Sequence, residues 1–390
     1  MNFITRFKNN IAYLELFGDN SDQNDYLVEF IDLNTNEIVY STKIKVNYWS
    51  QLSNIQDMNI LIRVILDNQV IFERQQNFKY NKVYINFGST SLGDSVAWIP
   101  YAEEYRTKYN VDVILYSKFN YLFNKVYPNI LFTDISDPNL INDVDKKFKI
   151  DYGSELYYVN GIKKPEKWFD ENEKYDNCVN NFDYRKYSLQ SIATIILGLP
   201  EIEIIPKINI PDDGPKIKGK YVVVAIQSTA QLKYWNNQDG WEILFDFLGK
   251  NGYKIVLIDK YKSFGVYGCY NIAPKSKYLI NKCGNYPLSE RINDIKYADM
   301  MITISSGLAW VSWAVGTPVV MISGFTKPWY EFKSNIIRIH NPNVCNGCWN
   351  ECKNFDLHWL YCPKLKNFEC TRKITAKDVI DAIKPLIKKE

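Results

Sequence analysis

The chain has 390 residues, 46% of them hydrophobic, so it is long enough for two or three domains with buried cores. Its 47 Lys and Arg residues nearly balance 44 Asp and Glu residues, and a net charge of +3 argues against nucleic acid as the main partner. Residues 1–8 lead into Asn-rich and acidic sequence instead of an apolar run. We therefore expect no secretory signal and a cytoplasmic protein.

The first part of the chain predicts a small β domain over residues 1–78. Five short alternating runs are separated by turn residues, which is typical of antiparallel strands. Two interpretations stay open, a docking or oligomerisation module and a passive structural appendage. The predicted strands cover residues 11–16, 26–31, 37–41, 60–65 and 69–73.

From Lys82 the pattern changes to alternating strands and helices. A strand at 83–87, a helix at 94–108 and a strand at 111–115 form a βαβ unit, which predicts a parallel sheet covered by helices. We assign residues 79–210 to this first Rossmann-like domain. The following segment, 200–218, is rich in Pro, Gly and charge and suits a linker.

A second Rossmann-like domain is predicted over residues 211–335. Its strands are expected at 221–226 and 254–258, with a helix between them at 241–249. The uncharged stretch 300–326 reaches membrane-spanning length, but two Ser/Gly/Pro turns divide it, so we predict a buried βαβ unit and no membrane insertion. Two such domains usually bind a ligand in the cleft at the carboxyl ends of their strands.

The loop after the first predicted strand of the 79–210 domain offers a carboxylate. Gly88 and Gly93 allow a tight turn, and Asp94 lies at the start of the next helix. Asp94 could serve only as a helix cap, which spacing alone favours. It is also the best-placed candidate for a general base that takes a proton from an attacking hydroxyl.

The loop after the strand at 221–226 offers a cation. Lys233 could neutralise a diphosphate leaving group, and hydroxyls such as that of Thr229 could bind the same oxygens. An ordinary surface lysine is the alternative. The place of Lys233 at the carboxyl end of a strand favours the functional interpretation.

A third loop follows the strand predicted near residue 300. Ser305, Ser306 and Gly307 form a small polar turn at a helix start, where exposed N–H groups can bind a pyrophosphate. A serine of this turn could also act simply as an N-cap. The two roles are compatible because both use the same end of the helix.

Cysteines cluster near the C-terminus, within residues 336–390, which we assign to a metal finger and a C-terminal helix. Five of the eight cysteines lie between 345 and 370. The C-x2-C spacing suits a tetrahedral thiolate site for zinc or iron, and a structural role is favoured over a catalytic one. Cys352 or His358 could replace one ligand. The favoured set is Cys345, Cys348, Cys362 and Cys370.

Together these motifs resemble the bacterial autotransporter heptosyltransferases. The similarity runs from about Lys82 to Thr375 and is weaker over the N-terminal domain. Its strongest segments are Asn-Phe-Gly-Ser-Thr-Ser-Leu-Gly-Asp-Ser-Val-Ala-Trp at 86–98, Ser-Thr-Ala-Gln-Leu-Lys-Tyr-Trp-Asn at 228–236, Cys-Asn-Gly-Cys-Trp-Asn at 345–350, Trp-Leu-Tyr-Cys-Pro at 359–363 and Phe-Glu-Cys-Thr-Arg at 368–372.

The resemblance implies a GT-B enzyme of the α/β class that transfers heptose from ADP-heptose to Ser or Thr hydroxyls of autotransporter passenger proteins, with inversion. It implies Asp94 as general base, Lys233 as a diphosphate contact, iron at the four cysteines and a homo-oligomer, a dodecamer. The wider superfamily usually carries an acidic residue where Ser305 stands, so donor contacts at this turn are expected from hydroxyl and backbone groups. Iron and zinc stay alternatives at four thiolates.

Two other functions stay open. A lipopolysaccharide core heptosyltransferase would share the fold and the donor, although the absence of a strongly basic membrane-binding face favours a protein acceptor. A non-catalytic assembly scaffold would keep a relict GT-B cleft. Assays that compare a repeat protein with a lipid-linked core as acceptor distinguish the first alternative from a protein heptosyltransferase. Measurement of ADP release distinguishes the second, because a scaffold does not turn over the donor.

Overall fold

The computed structural model divides the chain into two compact units, Met1–Tyr80 and Asn81–Glu390. Within them the structure describes residues 2–8, 11–19, 21–53, 55, 58–76, 82–137, 140–141, 144–152, 158–159, 162–163, 183–211, 213–266, 269–351 and 361–388.

The first unit contains two antiparallel sheets. One has the strand order β1-β2-β5 and the other β4-β3-β6-β7. Alternate residues of β2, β3 and β6 point inward, and Val28, Phe30, Ile62 and Val64 are fully buried in a shared core. The strands are Asn2–Lys8 (β1), Ile11–Phe17 (β2), Tyr26–Asp32 (β3), Glu37–Ile44 (β4), Trp49–Ser53 (β5), Ile60–Leu66 (β6) and Gln69–Gln76 (β7).

All five strands predicted in this unit are confirmed, and two were missed. Both missed strands, β1 and β5, lie at the edges of the three-stranded sheet. Edge position alone does not explain this, because β4 and β7 are the edges of the four-stranded sheet and both were predicted. Strand β5 has the sequence Trp-Ser-Gln-Leu-Ser, which is too short and too polar to show an alternating apolar pattern.

The second unit begins with a parallel four-stranded sheet of order β10-β9-β8-β11. The predicted βαβ unit is confirmed, since β8 and β9 flank a long helix, α1. The elements of this part are Lys82–Phe87 (β8), Leu92–Tyr109 (α1), Asp112–Tyr116 (β9), Ile130–Thr133 (β10), Lys146–Ile150 (β11), a short hairpin of Tyr158–Val159 (β12) and Ile162–Lys163 (β13), and Leu189–Leu197 (α2).

A parallel six-stranded sheet follows, with the order β18-β15-β14-β19-β20-β21. The predicted strand-helix-strand division of 300–323 is confirmed by β19, α5 and β20. The elements are Tyr221–Ala225 (β14), Gly240–Lys250 (α3), Lys254–Leu257 (β15), a hairpin of Ser263–Val266 (β16) and Cys269–Ile272 (β17), Leu279–Asn281 (β18), Leu288–Lys296 (α4), Met300–Ile304 (β19), Gly307–Ala314 (α5), Val319–Ile322 (β20) and Ile336–Ile339 (β21).

The C-terminal helices complete the second sheet. The described residues after β21 include the α-helices Cys348–Glu351 (α6), Glu369–Arg372 (α7) and Ala376–Ile383 (α8). Val379 and Ile383 of α8 share a core with Phe245 of α3 and the strands of the six-stranded sheet. Helix α8 begins with a capping box between Thr375 and Asp378, which fixes its start. Across the described residues, every helix is too short or too polar to cross a bilayer.

Candidate functional site

The N-termini of helices α1 and α5, which follow strands of the two parallel sheets, contact each other within the second unit. Helix α1 follows β8, and helix α5 follows β19. A Cβ atom placed on Gly307 would lie 2.9 Å from the backbone nitrogen of Gly93, and one on Gly93 would lie 3.2 Å from the Gly307 Cα. The backbones approach so closely because Gly307 has no side chain and because Gly93 opposite it has none either.

The cavity beside this contact has a volume of about 610 Å³, within the range of small-molecule sites. It lies at the carboxyl ends of the strands of both sheets, where α/β proteins bind ligands. All three loops singled out in the sequence line it. The predicted residues that it brings together are Asp94, Thr229, Lys233, Ser305, Ser306 and Gly307.

Asp94 lies in the first turn of α1 and is only 7% exposed. Burial raises the pKa of its carboxyl group, while hydrogen bonds from Ser89 and Tyr152 and the charge of Lys233 act in the opposite direction. The N-cap of α1, Ser91, makes no side-chain cap bond among the described residues. Asp94 is therefore a buried carboxylate that lines a cavity close to a cation, an environment that is typical of functional groups.

Lys233 ends a short 3₁₀ turn, Gln231–Lys233, which follows β14. Its Nζ lies 5.5 Å from the ring centroid of Phe325, in a cation–π contact. Burial lowers the pKa of Lys233, and the carboxylates of Asp94 and Glu331 oppose that shift. Lys233 is therefore no ordinary surface lysine, because its ammonium group faces two carboxylates inside the cavity.

The turn from Ser305 to Gly307 connects β19 to α5. Ser306 is the N-cap residue, yet among the described residues its side chain makes no cap hydrogen bond. Its Oγ lies 3.4 Å from the Oγ1 of Thr303. The Ser305 hydroxyl donates to Glu331 Oε1 at 2.6 Å. Gly307 and Leu308, the first residues of this helix, line the cavity, and the first N–H groups of a helix are the ones that are able to bind an anion.

Sequence reasoning missed two buried carboxylates of the cavity. Asp259, 2% exposed, follows β15 and accepts the backbone N–H groups of Ile226 at 3.0 Å and Gln227 at 3.0 Å, which fixes the loop that leads to Lys233. Burial raises the pKa of Asp259 to about 6. Glu331, 4% exposed, lies in the loop after β20. The position of Asp259 after a predicted strand was a usable signal, whereas no pattern marks Glu331.

Aromatic side chains lie between the cavity and the segment that carries the clustered cysteines, residues 345–370 (the cysteine segment). Trp349 packs edge-on against Tyr152, with ring centroids 5.5 Å apart, and its centroid lies 5.2 Å from that of Tyr184. The neighbouring residue, Cys348, packs in a cluster with Leu232 and Phe325. The cysteine segment thus supports the loop that carries Lys233.

Of the four predicted metal ligands, Cys348, Cys362 and Cys370 are buried and Cys345 is half-buried. Burial raises the pKa of Cys370 to about 11, and the charges of Cys345 and Cys362 act in the same direction. The backbone N–H of Lys366 donates to Cys362 Sγ at 3.3 Å. In the described part of the chain, however, no three His, Cys, Asp or Glu side chains are arranged to hold a metal ion. Cys352 and His358 lie outside the described residues.

Comparison with known proteins agrees with this architecture. Residues 200–353 match the model of glycosyltransferase family 9 (heptosyltransferase). The chain is 32% identical to the autotransporter heptosyltransferase Aah of Escherichia coli over 372 residues, 93% of this chain and 89% of Aah. It is 26% identical over 374 residues to BimC of Burkholderia thailandensis, which is described as an inactive autotransporter heptosyltransferase, covering 93% of this chain and 82% of BimC.

A solved structure is similar over nearly the whole chain. The crystal structure of TibC, an iron-containing dodecameric glycosyltransferase from enterotoxigenic E. coli, matches with a TM-score of 0.70 and 27% identity, covering 99% of this chain and 95% of TibC. The fold is therefore the α/β fold of these glycosyltransferases. With a relative at 32% identity over almost the entire length, the chain belongs to the autotransporter heptosyltransferase family and is a glycosyltransferase.

Proposed function

We propose that this protein transfers heptose from ADP-heptose to Ser or Thr hydroxyls of an autotransporter passenger protein, with inversion at the anomeric carbon. The observation that carries the proposal is the single cavity in which Asp94 and Lys233 face each other at the junction of two parallel sheets. TibC, which shares the fold, has been crystallised with ADP-D-β-D-heptose. The donor and the acceptor follow from the family, and the chemistry follows from the cavity.

In the proposed mechanism Asp94 accepts the proton of the acceptor hydroxyl while that oxygen attacks the anomeric carbon. The bond from this carbon to the diphosphate oxygen breaks, and ADP leaves with the electron pair. Burial raises the pKa of Asp94, which makes its carboxylate a stronger base than an exposed one. Attack from the face opposite the leaving group accounts for inversion.

The departing diphosphate gains negative charge in the transition state. We assign its binding to Lys233, Thr229 and the turn formed by Ser305, Ser306 and Gly307. These groups accelerate the reaction only as far as they bind the leaving group more tightly in the transition state than in the ground state. A lysine placed over an apolar ring and between carboxylates is held in one position, so little reorganisation is needed as the charge develops.

The direct test is co-expression with candidate passenger proteins, followed by mass measurement of the passenger. Each attached heptose is expected as a constant mass increment. Asp94→Ala should lower the transfer rate by about 10²- to 10⁴-fold, the usual contribution of a general base, while ADP binding persists. Near-normal transfer by Asp94→Ala would remove Asp94 from the mechanism.

A second candidate function is an assembly scaffold with an inactive cleft, and the similarity to BimC favours considering it. ADP release from ADP-heptose in the presence of acceptor separates the two, since a scaffold releases none. Assays with a lipid-linked lipopolysaccharide core in place of the passenger test the remaining acceptor class. Transfer to the lipid-linked core alone would replace the protein acceptor in the proposal.

We further propose a structural metal finger formed by Cys345, Cys348, Cys362 and Cys370, with iron as the ion and zinc as the alternative. Four thiols suit either metal, and an N–H···S bond such as that to Cys362 stabilises a thiolate ligand. Three of the four thiols are buried, which suits a closed structural site. When bound, the ion would cross-link the segment around Cys348, which packs beside Leu232 in the loop of Lys233.

The assembly and its location complete the proposal. TibC is dodecameric, and we propose a homo-oligomer, a dodecamer, in the cytoplasm, where ADP-heptose and unexported passenger protein would meet. Light scattering on the purified protein gives its mass directly. A monomeric mass would reject the proposed oligomer and would leave the proposed reaction unaffected.

A further inference from the structure

A buried ion pair lies behind the turn that connects β19 to α5. Glu331 pairs with Arg338 of β21, and neither side chain is more than 10% exposed. Arg338 Nη2 also donates to Ser323 Oγ at 2.8 Å and to Thr326 Oγ1 at 2.6 Å. A buried ion pair is often no more stabilising than apolar residues of the same volume. Its presence beside the cavity therefore points to a role other than stability.

The carboxylate of Glu331 organises this turn through hydrogen bonds. Its Oε1 accepts hydrogen bonds from the Oγ of Ser305 at 2.6 Å and from the Oγ1 of Thr326 at 2.9 Å. A serine hydroxyl has one proton, so Ser305 in this state cannot donate a hydrogen bond to a phosphate oxygen. The hydrogen bond instead fixes the residue that precedes the N-cap of α5.

Glu331 also lies at the same end of the cavity as the residues that are proposed to bind the diphosphate. It lines the cavity together with Ser306 and Lys233. Among the described residues, the charged groups that shift the pKa of Lys233 are Glu331 and Asp94. The ion pair is therefore in a position to influence the phosphate end and not only the core behind it.

We propose that Glu331 is a positioning residue for the donor diphosphate, because it holds Ser305 and, through Ser305, aims the first amides of α5 at the phosphate oxygens. This inference rests on the proposed function, in which this helix start binds the diphosphate of ADP-heptose. Arg338 neutralises Glu331, so the carboxylate can stay buried beside an anion site without a large unpaired charge. Glu331 thus acts through the turn and has no proposed contact with the sugar.

The test compares the affinities of ADP and adenosine by calorimetry, since only ADP carries the diphosphate. Glu331→Met combined with Arg338→Met replaces the pair by apolar side chains of similar size, which avoids leaving one charge buried alone. We expect this double variant to lose about tenfold or more in ADP affinity, the effect of one hydrogen bond to a charged group. Adenosine affinity should stay unchanged.

The matched control is Glu331→Gln with Arg338→Met, which retains an acceptor for the Ser305 hydroxyl. We expect it to keep most of the preference for ADP. Ser305→Ala should lower ADP affinity in the wild-type background and cause no further loss in the double Met background, because residues that act as one unit are not additive. Since Ser305→Ala changes a single small side chain, it tests the inference even if the double variant does not fold.

The outcomes separate the two proposals. An unchanged preference for ADP in folded Glu331→Met, Arg338→Met protein or in Ser305→Ala protein overturns the positioning role. Additive losses also overturn it, since they would mean that Ser305 acts on the phosphate directly. If the wild-type protein itself shows no preference for ADP over adenosine, the proposed donor is wrong and the inference falls with it.

Discussion

Adding one methyl group to Gly307 should disturb catalysis more than stability. The new Cβ would lie 2.9 Å from the Gly93 nitrogen, whereas ordinary contact begins at 3.4 Å, so the two helix starts must separate by about 0.5 Å. Overpacking of this kind typically costs about 1–3 kcal/mol in the free energy of unfolding, and the better helix propensity of Ala returns up to about 1 kcal/mol. The net destabilisation is therefore modest.

The effect on turnover follows from the same displacement. Asp94 and the proposed phosphate turn lie on opposite sides of this contact, so separating the helices moves the base away from the donor. A misplacement of about 1 Å can cost roughly 10²-fold, and half of that distance predicts a loss of about tenfold in kcat/KM. Initial rates of heptose transfer and thermal melting of Gly307→Ala measure the two effects separately.

A matched control exists in helix α3. A Cβ on Gly249 would lie 2.1 Å from the ring of Tyr278, which is more severe crowding at a place that does not line the cavity. Gly249→Ala should lower the melting temperature and leave the transfer rate of the folded protein unchanged. Wild-type kcat/KM in Gly307→Ala would refute the idea that this glycine contact sets the distance between base and donor.

Three further predictions concern charge and metal. Asp94→Asn should lower transfer by about 10²- to 10⁴-fold and raise thermal stability at neutral pH, because a carboxyl group whose pKa is raised by burial contributes stability only while protonated. Melts at pH 7 that show a lower melting temperature would contradict this. In the wild type, kcat should fall as the pH drops through the raised pKa of Asp94. Tyr152→Phe should move this decrease to higher pH, because the hydrogen bond from Tyr152 lowers the pKa of Asp94. A pH–rate profile in which the decrease moves to lower pH would reject this hydrogen bond. Cys370→Ser should lower the bound metal measured by elemental analysis and the melting temperature together, and full metal content in a folded variant would exclude Cys370 from the ligand set.

Much of the fold could be predicted because local patterns carry it. Five strands of the N-terminal unit and the βαβ units around Asp94 and at 300–323 follow from alternation, apolar runs and Gly-containing turns, which are properties of neighbouring residues. The strands Asn2–Lys8 and Trp49–Ser53 were missed, and Trp49–Ser53 has too few apolar residues to show an alternating pattern.

The site was predictable only in part. Asp94, Lys233 and the turn at Ser305 could be recognised because each follows a predicted strand, and strands of a parallel sheet present their carboxyl ends at one edge. Nothing in the sequence around Glu331 indicated that its carboxylate would be buried, since that depends on Arg338 in a later strand.

The sequence by itself determined five strands of the N-terminal unit, the βαβ units around Asp94 and at 300–323, the three loops with chemical groups and the clustered cysteines, because these are set by periodicity and spacing along the chain. Only the tertiary structure decided that the two glycine-containing helix starts touch and that Asp94, Lys233 and Glu331 share one cavity. The physical reason is that burial and charge pairing depend on distance in space. Residues far apart in sequence acquire shifted pKa values and hydrogen-bond partners only when packing of the two sheets brings them together.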